Sequence, residues 1–457
     1  MYYIIQVLGR FAGYYDVFFR VGDVVYEGKL VSQILRKHFG ENCKTVILVP
    51  ESLVAMLTDD VYEAADLLRD KQKFERRVGD EIVEAGLLEE PFEILRIQSL
   101  GPYRGDSWHI RFGNHFDNIV CYAFLELLKH LNGGDCRLIV DISTGQNLYV
   151  NSMVEAIRVL LVYYKLSRIL QKKMDMRIDM VSTPPIQKEA GECAEYDVNF
   201  YEYDVKAFFE FPIRGNIPTS ASNFLREAPV ELKRRLSFKL RGETRILNKI
   251  LGSARLAFNS LRYNTPLAMF YNDIISLDVE PNEGFNALTK ILEVFEKERK
   301  IEVKDEGLVV ERLTVNRPLI MNTFLALSLY SSLWKFGKEV RLKKPTEKEV
   351  MSLFSTVYKN ANLHLNARFL ERDLKEIEEA ASSKLKTGEK KRLSDLFEKK
   401  NSKRKRGRKF SDPKRNFYAH SGLLREILIV EKQDDELILH YDKNSFNTIR
   451  KWLKKPE

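Results

Sequence analysis

The chain has 457 residues, 44% of them hydrophobic and 11% aromatic, which is enough for two or three domains with their own cores and excludes a disordered polymer. A formal charge of +9 and a pI near 9.0 point to an anionic partner, nucleic acid first. No stretch reaches the roughly 18 apolar residues of a membrane span, and NTFLALSLYSSLW at 322–334 reads as a buried helix.

From the start to about residue 205, apolar runs alternate with helical patterns. MYYIIQVLGR has neither a basic leader nor a small-residue cleavage site, so it reads as the first strand and the cytoplasm is expected. The helix EGKLVSQILRKHF, the strand TVILVP, the helix DDVYEAADLLRDKQKF and the strand FEILRIQ follow. Then come the helix NHFDNIVCYAFLELLKHL, the strand RLIVDIS, the helix NLYVNSMVEAIRVLLVYYKLSRIL and the strand MRIDMVS. Near-continuous apolar strands separated by helices predict an α/β, Rossmann-like half with a parallel sheet covered on both faces. Four cysteines, at 43, 121, 136 and 193, form no CxxC pair and are expected in the core. Charged residues make up 30%, rich in Lys, Glu and Arg, a balance that leans towards a thermophilic source.

FPIRGNIPTS at 211–220 interrupts the strand rhythm and marks a boundary. Residues 221–300 predict several short helices, and IEVKDEGLVVERL predicts a hairpin turning near Asp305 to Gly307. From about 315 the pattern is helical again, closing on LREILIVEKQDDELILHYD, where two apolar runs flank a polar turn as in a hairpin. The predicted division is 1–210, an α/β domain; 211–312, a helical connector; and 313–457, a mostly α-helical domain.

In open parallel sheets, ligands lie beyond the carboxyl ends of the strands, where loops meet helix N-termini whose free amides attract anions. RLIVDISTGQNLYVNSMVEAIR has this form: a strand ending near Asp141, a small polar turn Ser143-Thr144-Gly145, then Gln146 and Asn147 opening a helix. An ordinary strand-to-helix connection with a polar cap fits the same letters. The first strand ends in LGRFAGYYD, where Gly9 permits close backbone approach, Arg10 offers a planar fork of donors and Phe11 offers an aromatic face to stack on a base. Neither GxGxxG nor a Walker A sequence is present, which weighs against NAD binding and ATP hydrolysis.

The sharper clue is SDPKRNFYAHSG, residues 411–422. Asp412-Pro413 reads as an N-cap and first turn, placing Arg415 at the third helical position, where the helix dipole disfavours a cation. A reason other than helix stability is needed, such as holding a phosphate. His420 follows about a turn and a half later, and an imidazole suits proton transfer near neutral pH. A second Arg-x4-His, Arg104 to His109, lacks the Asn after Arg and stands away from any basic cluster. Only Arg415-Asn416-x3-His420 combines all three residues. Just upstream, the run Lys403, Arg404, Lys405, Arg406, Arg408, Lys409 is most simply a solvated charge run. Beside an Arg-His pair it also suits sequence-independent RNA contact. His38, His109, His115, His130, His364 and His440 form no metal-ligand spacing, so no metal is expected.

VLGRFAGYYDVFF, LVPESL and above all DISTGQN resemble the CARF sensor domain, and RNFYAH matches the RNxxxH motif of HEPN ribonucleases. Together they resemble the CARF-HEPN ancillary ribonucleases of type III CRISPR systems, in which the connector is helical or helix-turn-helix-like. The resemblance implies a homodimer, or an oligomer of such dimers, that binds a cyclic oligoadenylate, the tetra-adenylate first, across two CARF domains. Binding then switches on metal-independent cleavage of single-stranded RNA, with no cofactor. It assigns Arg415 and His420 to catalysis with Asn416 in support, and Gly9, Arg10, Phe11, Ser143, Thr144, Gly145, Gln146 and Asn147 to the activator. The chain departs from many relatives at Leu8-Gly9-Arg10, where they carry Trp-Gly-Asn, and at Thr144, where they carry His. The competing reading is a CARF transcriptional regulator whose helical middle binds DNA; the Arg-Asn-His set and the basic run argue against it.

Overall fold

The computed structural model describes residues 1–131, 136–171, 176–186, 194–210, 217–304, 307–340, 344–397 and 412–456. The basic run Lys403 to Lys409 lies outside the described residues. The first part runs β1 (Tyr2–Val7), β2 (Val17–Val21), β3 (Val24–Gly28), α1 (Val31–Phe39), β4 (Cys43–Pro50), α2 (Val54–Leu57), α3 (Val61–Arg69), α4 (Lys71–Glu84) and β5 (Glu93–Ile97). It continues with β6 (Gly101–Arg104), β7 (His109–Gly113), α5 (Phe116–His130), β8 (Arg137–Asp141), α6 (Asn147–Ser167), β9 (Arg177–Ser182), β10 (Glu195–Asp197), β11 (Asn199–Tyr203) and α7 (Ala207–Glu210).

A six-stranded sheet has the order β11-β9-β8-β1-β4-β5 and is parallel except where β11 meets β9. Its central strands are the continuous apolar runs, because side chains on both faces are covered: Ile4, Ile5 and Val7 of β1 are buried, as are Val46 to Val49 of β4. From β1 the chain crosses to β4 on one side, and β8 joins on the other, so the loops after β1 and β8 part at the carboxyl end of the sheet.

Three features depart from the expected elements. DDVYEAADLLRDKQKF is two helices, α3 and α4, because the Asp70 carboxylate caps the second one by accepting from the Gln72 and Lys73 amides. VFFRVGDVVYEG, to which the sequence reading assigned no element, forms the hairpin β2–β3, with β10 alongside β2. Cys43 is only half-buried, since it opens β4 at the edge of the core, whereas Cys121 and Cys136 are buried; Cys193 is outside the described residues.

The rest of the chain comprises β12 (Leu225–Glu227), α8 (Val230–Lys239), α9 (Arg241–Arg262), α10 (Pro281–Lys297), β13 (Lys300–Lys304), β14 (Gly307–Glu311), β15 (Thr314–Val315), α11 (Arg317–Val340), α12 (Glu347–Asn360) and α13 (His364–Lys384). It ends with β16 (Lys390–Arg392), α14 (Leu393–Phe397), α15 (Pro413–Ala419), β17 (Leu428–Gln433), β18 (Glu436–Tyr441) and α16 (Phe446–Lys454). The two expected hairpins are β13–β14, whose turn at 305–306 is outside the described residues, and β17–β18. β14 also runs parallel to β7, in a sheet ordered β13-β14-β7-β6 that ties the end of the helical middle to the first half.

NTFLALSLYSSLW lies in α11, which packs on α5 and α6: the Phe124 and Phe324 rings are 5.0 Å apart, and the Leu170 amide donates to Ser332 Oγ at 3.2 Å. One apolar core therefore continues from the main sheet into the C-terminal helices. Among the described residues no helix is long and apolar enough to cross a membrane.

Candidate nucleotide cleft and ribonuclease site

At the carboxyl ends of the central strands lies a cleft of about 620 Å³. It is walled by the loops after β1 (Gly9, Arg10, Gly13, Tyr14, Tyr15), β8 (Ser143 to Gln146) and β9 (Thr183 to Ile186), with Lys29 and Met56 at its margins. Close approach of two backbones forms its floor. A Cβ on Gly9 would lie 3.2 Å from the Gln146 amide nitrogen, and one on Gly145, whose φ is +103°, would lie 3.1 Å from the Val7 carbonyl oxygen. Only glycine joins these loops without displacement.

Hydrogen bonds fix the loop after β8. The Ser143 amide donates to Asp141 Oδ1 at 2.8 Å, the Thr183 amide donates to Ser143 Oγ at 3.0 Å, and Gln6 Nε2 donates to Thr144 Oγ1. Asp141 is fully buried, and burial pushes its carboxyl up to about 6 against the opposing pull of the Ser143 hydrogen bond. On the other wall, Arg10 folds back to donate to the Gly13 carbonyl at 3.1 Å, and its guanidinium lies 5.3 Å from the Tyr14 ring centre. Burial raises the Tyr14 hydroxyl, with Arg10 opposing.

Of the expected activator residues, Gly9, Arg10, Ser143, Thr144, Gly145 and Gln146 line this one cleft. Phe11 does not. It is 5% exposed and packs in the core with Leu8, Val49 and Leu53, so it has no face for a base; the expectation of stacking there is corrected. The aromatics that line the cleft are Tyr14, Tyr15 and the buried Phe19 instead. Asn147 opens α6 exposed to solvent, outside the lining. Sequence reading missed Lys29, Met56 and Thr183-Pro184-Pro185, although the last follows a predicted strand at its carboxyl end.

The second site is α15. Asp412 caps it by accepting from the Lys414 amide at 2.9 Å, and Pro413 occupies the first position. The helix has seven residues, with Arg415 third, and His420 is its C-cap. Phe417 anchors it, fully buried, with its ring 5.2 Å from Trp452 and 6.3 Å from Tyr441, and half-buried Tyr418 packs beside it at 5.2 Å from the Tyr263 ring. Arg415 and His420 are exposed and Asn416 is half-buried. Among the described residues no hydrogen bond or ion pair joins Arg415 to His420.

Beyond His420 the helix closes in a Schellman turn: the Gly422 amide donates to the Phe417 carbonyl at 2.8 Å, with Ser421 at φ +51° and Gly422 at φ +76°. Ser421 is 1% exposed, donates through Oγ to Asp373 Oδ2 at 2.7 Å and accepts from Asn264 Nδ2 at 2.8 Å. The comparison pair Arg104 to His109 spans the β6–β7 hairpin, where the two residues pair across strands, and His115 caps α5.

Comparison with family models decides the affiliation. Residues 3–185 match the CARF domain of CRISPR system endoribonuclease Csx1, and residues 363–444 match its HEPN domain. The chain has the Csx1-like CARF-HEPN architecture of a CRISPR ribonuclease. This pairing is that of the cyclic-oligoadenylate-activated endoribonucleases of type III CRISPR systems, and ribonuclease activity belongs to the HEPN domain. A search of curated proteins found no match. Nearly all of the cleft falls within the CARF span, and Asp373, α15, His420 and Ser421 fall within the HEPN span.

Proposed function

We propose that the chain cleaves single-stranded RNA without a metal ion, using Arg415, Asn416 and His420, when a cyclic oligoadenylate, the tetra-adenylate first, occupies the CARF cleft of two paired copies. The N-terminal fold is read as a Rossmann-like sensor domain, 1–210, followed by a helical connector, 211–312, and a HEPN domain, 313–457. The observation that carries the reading is that Arg415 and His420 stand exposed at the third position and the C-cap of one short helix inside the HEPN span.

The chemistry needs three things. The ribose 2′-hydroxyl must lose its proton as it attacks the neighbouring phosphorus, the phosphorane charge must be stabilised, and the departing 5′-oxygen must gain a proton. An imidazole transfers protons and a guanidinium holds the equatorial oxygens. The P–O5′ bond breaks, leaving a 2′,3′-cyclic phosphate and a 5′-hydroxyl. DNA lacks the nucleophile and survives as a non-substrate. Two copies fit both sites: a cyclic tetramer carries a two-fold axis that matches two identical half-clefts, and two exposed α15 helices supply two Arg-His sets to one groove. Activation requires that the nucleotide bind more tightly to the state with productive HEPN geometry.

The test is labelled single-stranded RNA incubated with wild-type protein or His420→Ala, with and without cyclic tetra-adenylate and with EDTA throughout. Activator-dependent cutting that His420→Ala lacks supports the reading. Absence of cutting together with specific duplex DNA binding would overturn it in favour of a regulator.

A further inference from the structure

Helices α8 and α9 meet at the single residue Leu240, and one side of the pair is apolar and buried: Leu236, Leu240, Leu247 and Ile250 are each 0% exposed. The other side has no such explanation. Residues 230–249 hold seven Lys or Arg against two Glu, a net of +5 in a chain of +9. Glu243 is engaged by Lys290 from α10, and Arg235 pairs with Glu298 at 2.5 Å. Arg234, Lys239, Arg241, Arg245 and Lys249 are exposed and have no ion pair among the described residues. In their midst Phe238 is 82% exposed.

This arrangement works against the helix that carries it. Arg241 and Arg245 sit in the first turns of α9, where the dipole disfavours cations. Arg241, Arg245 and Lys249 are also spaced four apart, so like charges stack along one face. A merely solvated face would intersperse Glu with Lys, whereas here the acidic partners are missing. Arg234 and Phe238, four residues apart, share one face of α8. Unpaired cations around an exposed aromatic ring make the surface that single-stranded nucleic acid selects, with phosphates tracking the charges and a base stacking on the ring. Duplex reading by a helix-turn-helix needs a turn of about three or four residues between its helices. The joint here is one residue, with helical hydrogen bonds running through it: the Leu240 amide donates to the Leu236 carbonyl and the Thr244 amide to the Leu240 carbonyl.

We propose that the outer face of α8 and α9 is a docking site for single-stranded RNA remote from the cleavage chemistry, with Phe238 as the stacking platform and Arg234, Lys239, Arg241 and Arg245 as phosphate contacts. That the docked strand is the substrate rests on the ribonuclease reading above; the docking itself does not. The site tethers a long RNA to the protein and raises the effective concentration of scissile linkages at the HEPN domain without sequence preference.

The test uses the full-length chain and a fluorescent 2′-O-methyl RNA of about 30 nucleotides, long enough to cover several stacking positions and immune to attack by its own hydroxyls. Anisotropy titrations compare wild type with Phe238→Ala and with the double variant Arg241→Gln/Arg245→Gln. Phe238→Ala weakens binding roughly 5- to 150-fold, the equivalent of about 1–3 kcal/mol for one lost stack. The double variant lowers the slope of log affinity against log salt by about 1.4, at about 0.7 per phosphate contact. All three positions are exposed, and circular dichroism checks that the variants fold.

Unchanged affinity and slope would overturn the proposal. So would a drop in particle mass by light scattering in Phe238→Ala, which makes the face an interface between copies, or tighter binding of duplex DNA lost in the same variants. A parallel assay on cleavable RNA keeps the two readings apart: cutting by His420→Ala sinks the ribonuclease assignment and leaves the anisotropy result standing.

Discussion

Ser421 Oγ donates to Asp373 Oδ2 at 2.7 Å, directly after His420 in the chain. The bond is buried: Asp373 is 5% exposed and Ser421 is 1% exposed. It holds a non-glycine residue in the left-handed region, a conformation costing about 1–2 kcal/mol, at the position where the helix must turn to leave His420 outermost. On the proposed ribonuclease reading, Ser421 and Asp373 act through the backbone of His420 as positioning residues.

Ser421→Gly tests this sharply, because glycine relieves the backbone strain while deleting the hydroxyl. Losing the hydroxyl leaves Asp373 Oδ2 and Asn264 Nδ2 short of a partner, a cost of about 1–3 kcal/mol that the relieved strain partly offsets. The expected outcome is a denaturation midpoint close to wild type with kcat for RNA cleavage down about tenfold, the equivalent of about 1.4 kcal/mol of misplacement, and KM unchanged. Wild-type kcat in a stably folded Ser421→Gly would refute the positioning role.

Gly145→Ala addresses the other site. At φ +103° alanine is strained by about 1–3 kcal/mol, and its methyl would press on the Val7 carbonyl and on Val150 at 3.2 Å, so the loop from Ser143 to Gln146 must shift. Calorimetric titration with cyclic tetra-adenylate is expected to show affinity reduced roughly tenfold or more. Unaltered affinity would mean that this loop does not hold the nucleotide.

The alternation of the main-sheet strands with α1, α5 and α6 was legible because the buried strands are continuous apolar runs, and α15 because Asp-Pro stands at its start; the hairpins β2–β3 and β6–β7 were not read. The places of Arg415 and His420 on α15 and the turn Ser143 to Gln146 were legible for the same reason: their signals are local. What escaped depends on contacts between distant segments. Phe11 looks available in LGRFAGYYD, but the core of Leu8, Val49 and Leu53 takes its ring and leaves Tyr14 and Tyr15 on the cleft. Ser421 and Asp373 are 48 residues apart, and no spacing rule joins them. The hairpin β2–β3 is the exception: its signal is local, a two-residue turn at Gly22-Asp23, and it went unread.

Arg312 Nη2 lies 2.9 Å from Glu51 Oε1, with the two side chains 3% and 2% exposed, and Glu296 contacts the same guanidinium at 3.2 Å. Arg96 and Arg299 approach Glu51 at 3.6 and 3.9 Å. The cluster joins the segment after β4, which runs on to Met56 in the cleft, to the end of β14 and to α10. Arg312 makes the closest contact to Glu51, and Arg312→Met leaves that carboxylate with only the longer approaches of Arg96 and Arg299. It is expected to lower stability by about 3–5 kcal/mol in urea unfolding. Glu51→Gln is expected to cost a similar amount, because the three guanidiniums are then left with Glu296. A stability within about 0.5 kcal/mol of wild type in either variant would show that the cluster does not hold these segments together.

Asp141 gives a pH prediction whose sign follows from where its proton sits. Its carboxyl is pushed up to about 6 in the folded chain, against about 3.9 in an unfolded one. Between those values the native state holds a proton that the unfolded state has lost, so stability falls as pH rises through that window. The penalty is absent below about pH 4, complete above about pH 6, and amounts to about 3 kcal/mol for about two units. Local structure favours the neutral form: among the described residues Asp141 Oδ2 and Gln6 Oε1 are both buried without a partner, and the two residues are register neighbours on adjacent parallel strands. A protonated Asp141 turns one of these orphan acceptors into a donor. Asp141→Asn removes the titration while keeping an oxygen for the Ser143 amide. In denaturant unfolding the variant is therefore expected to be more stable than wild type at pH 7.5 by up to about 3 kcal/mol, with the difference closing as pH falls to 4.5. Parallel pH profiles for the two proteins would show that Asp141 is ionised in the fold at both ends of the range and that burial does not govern it.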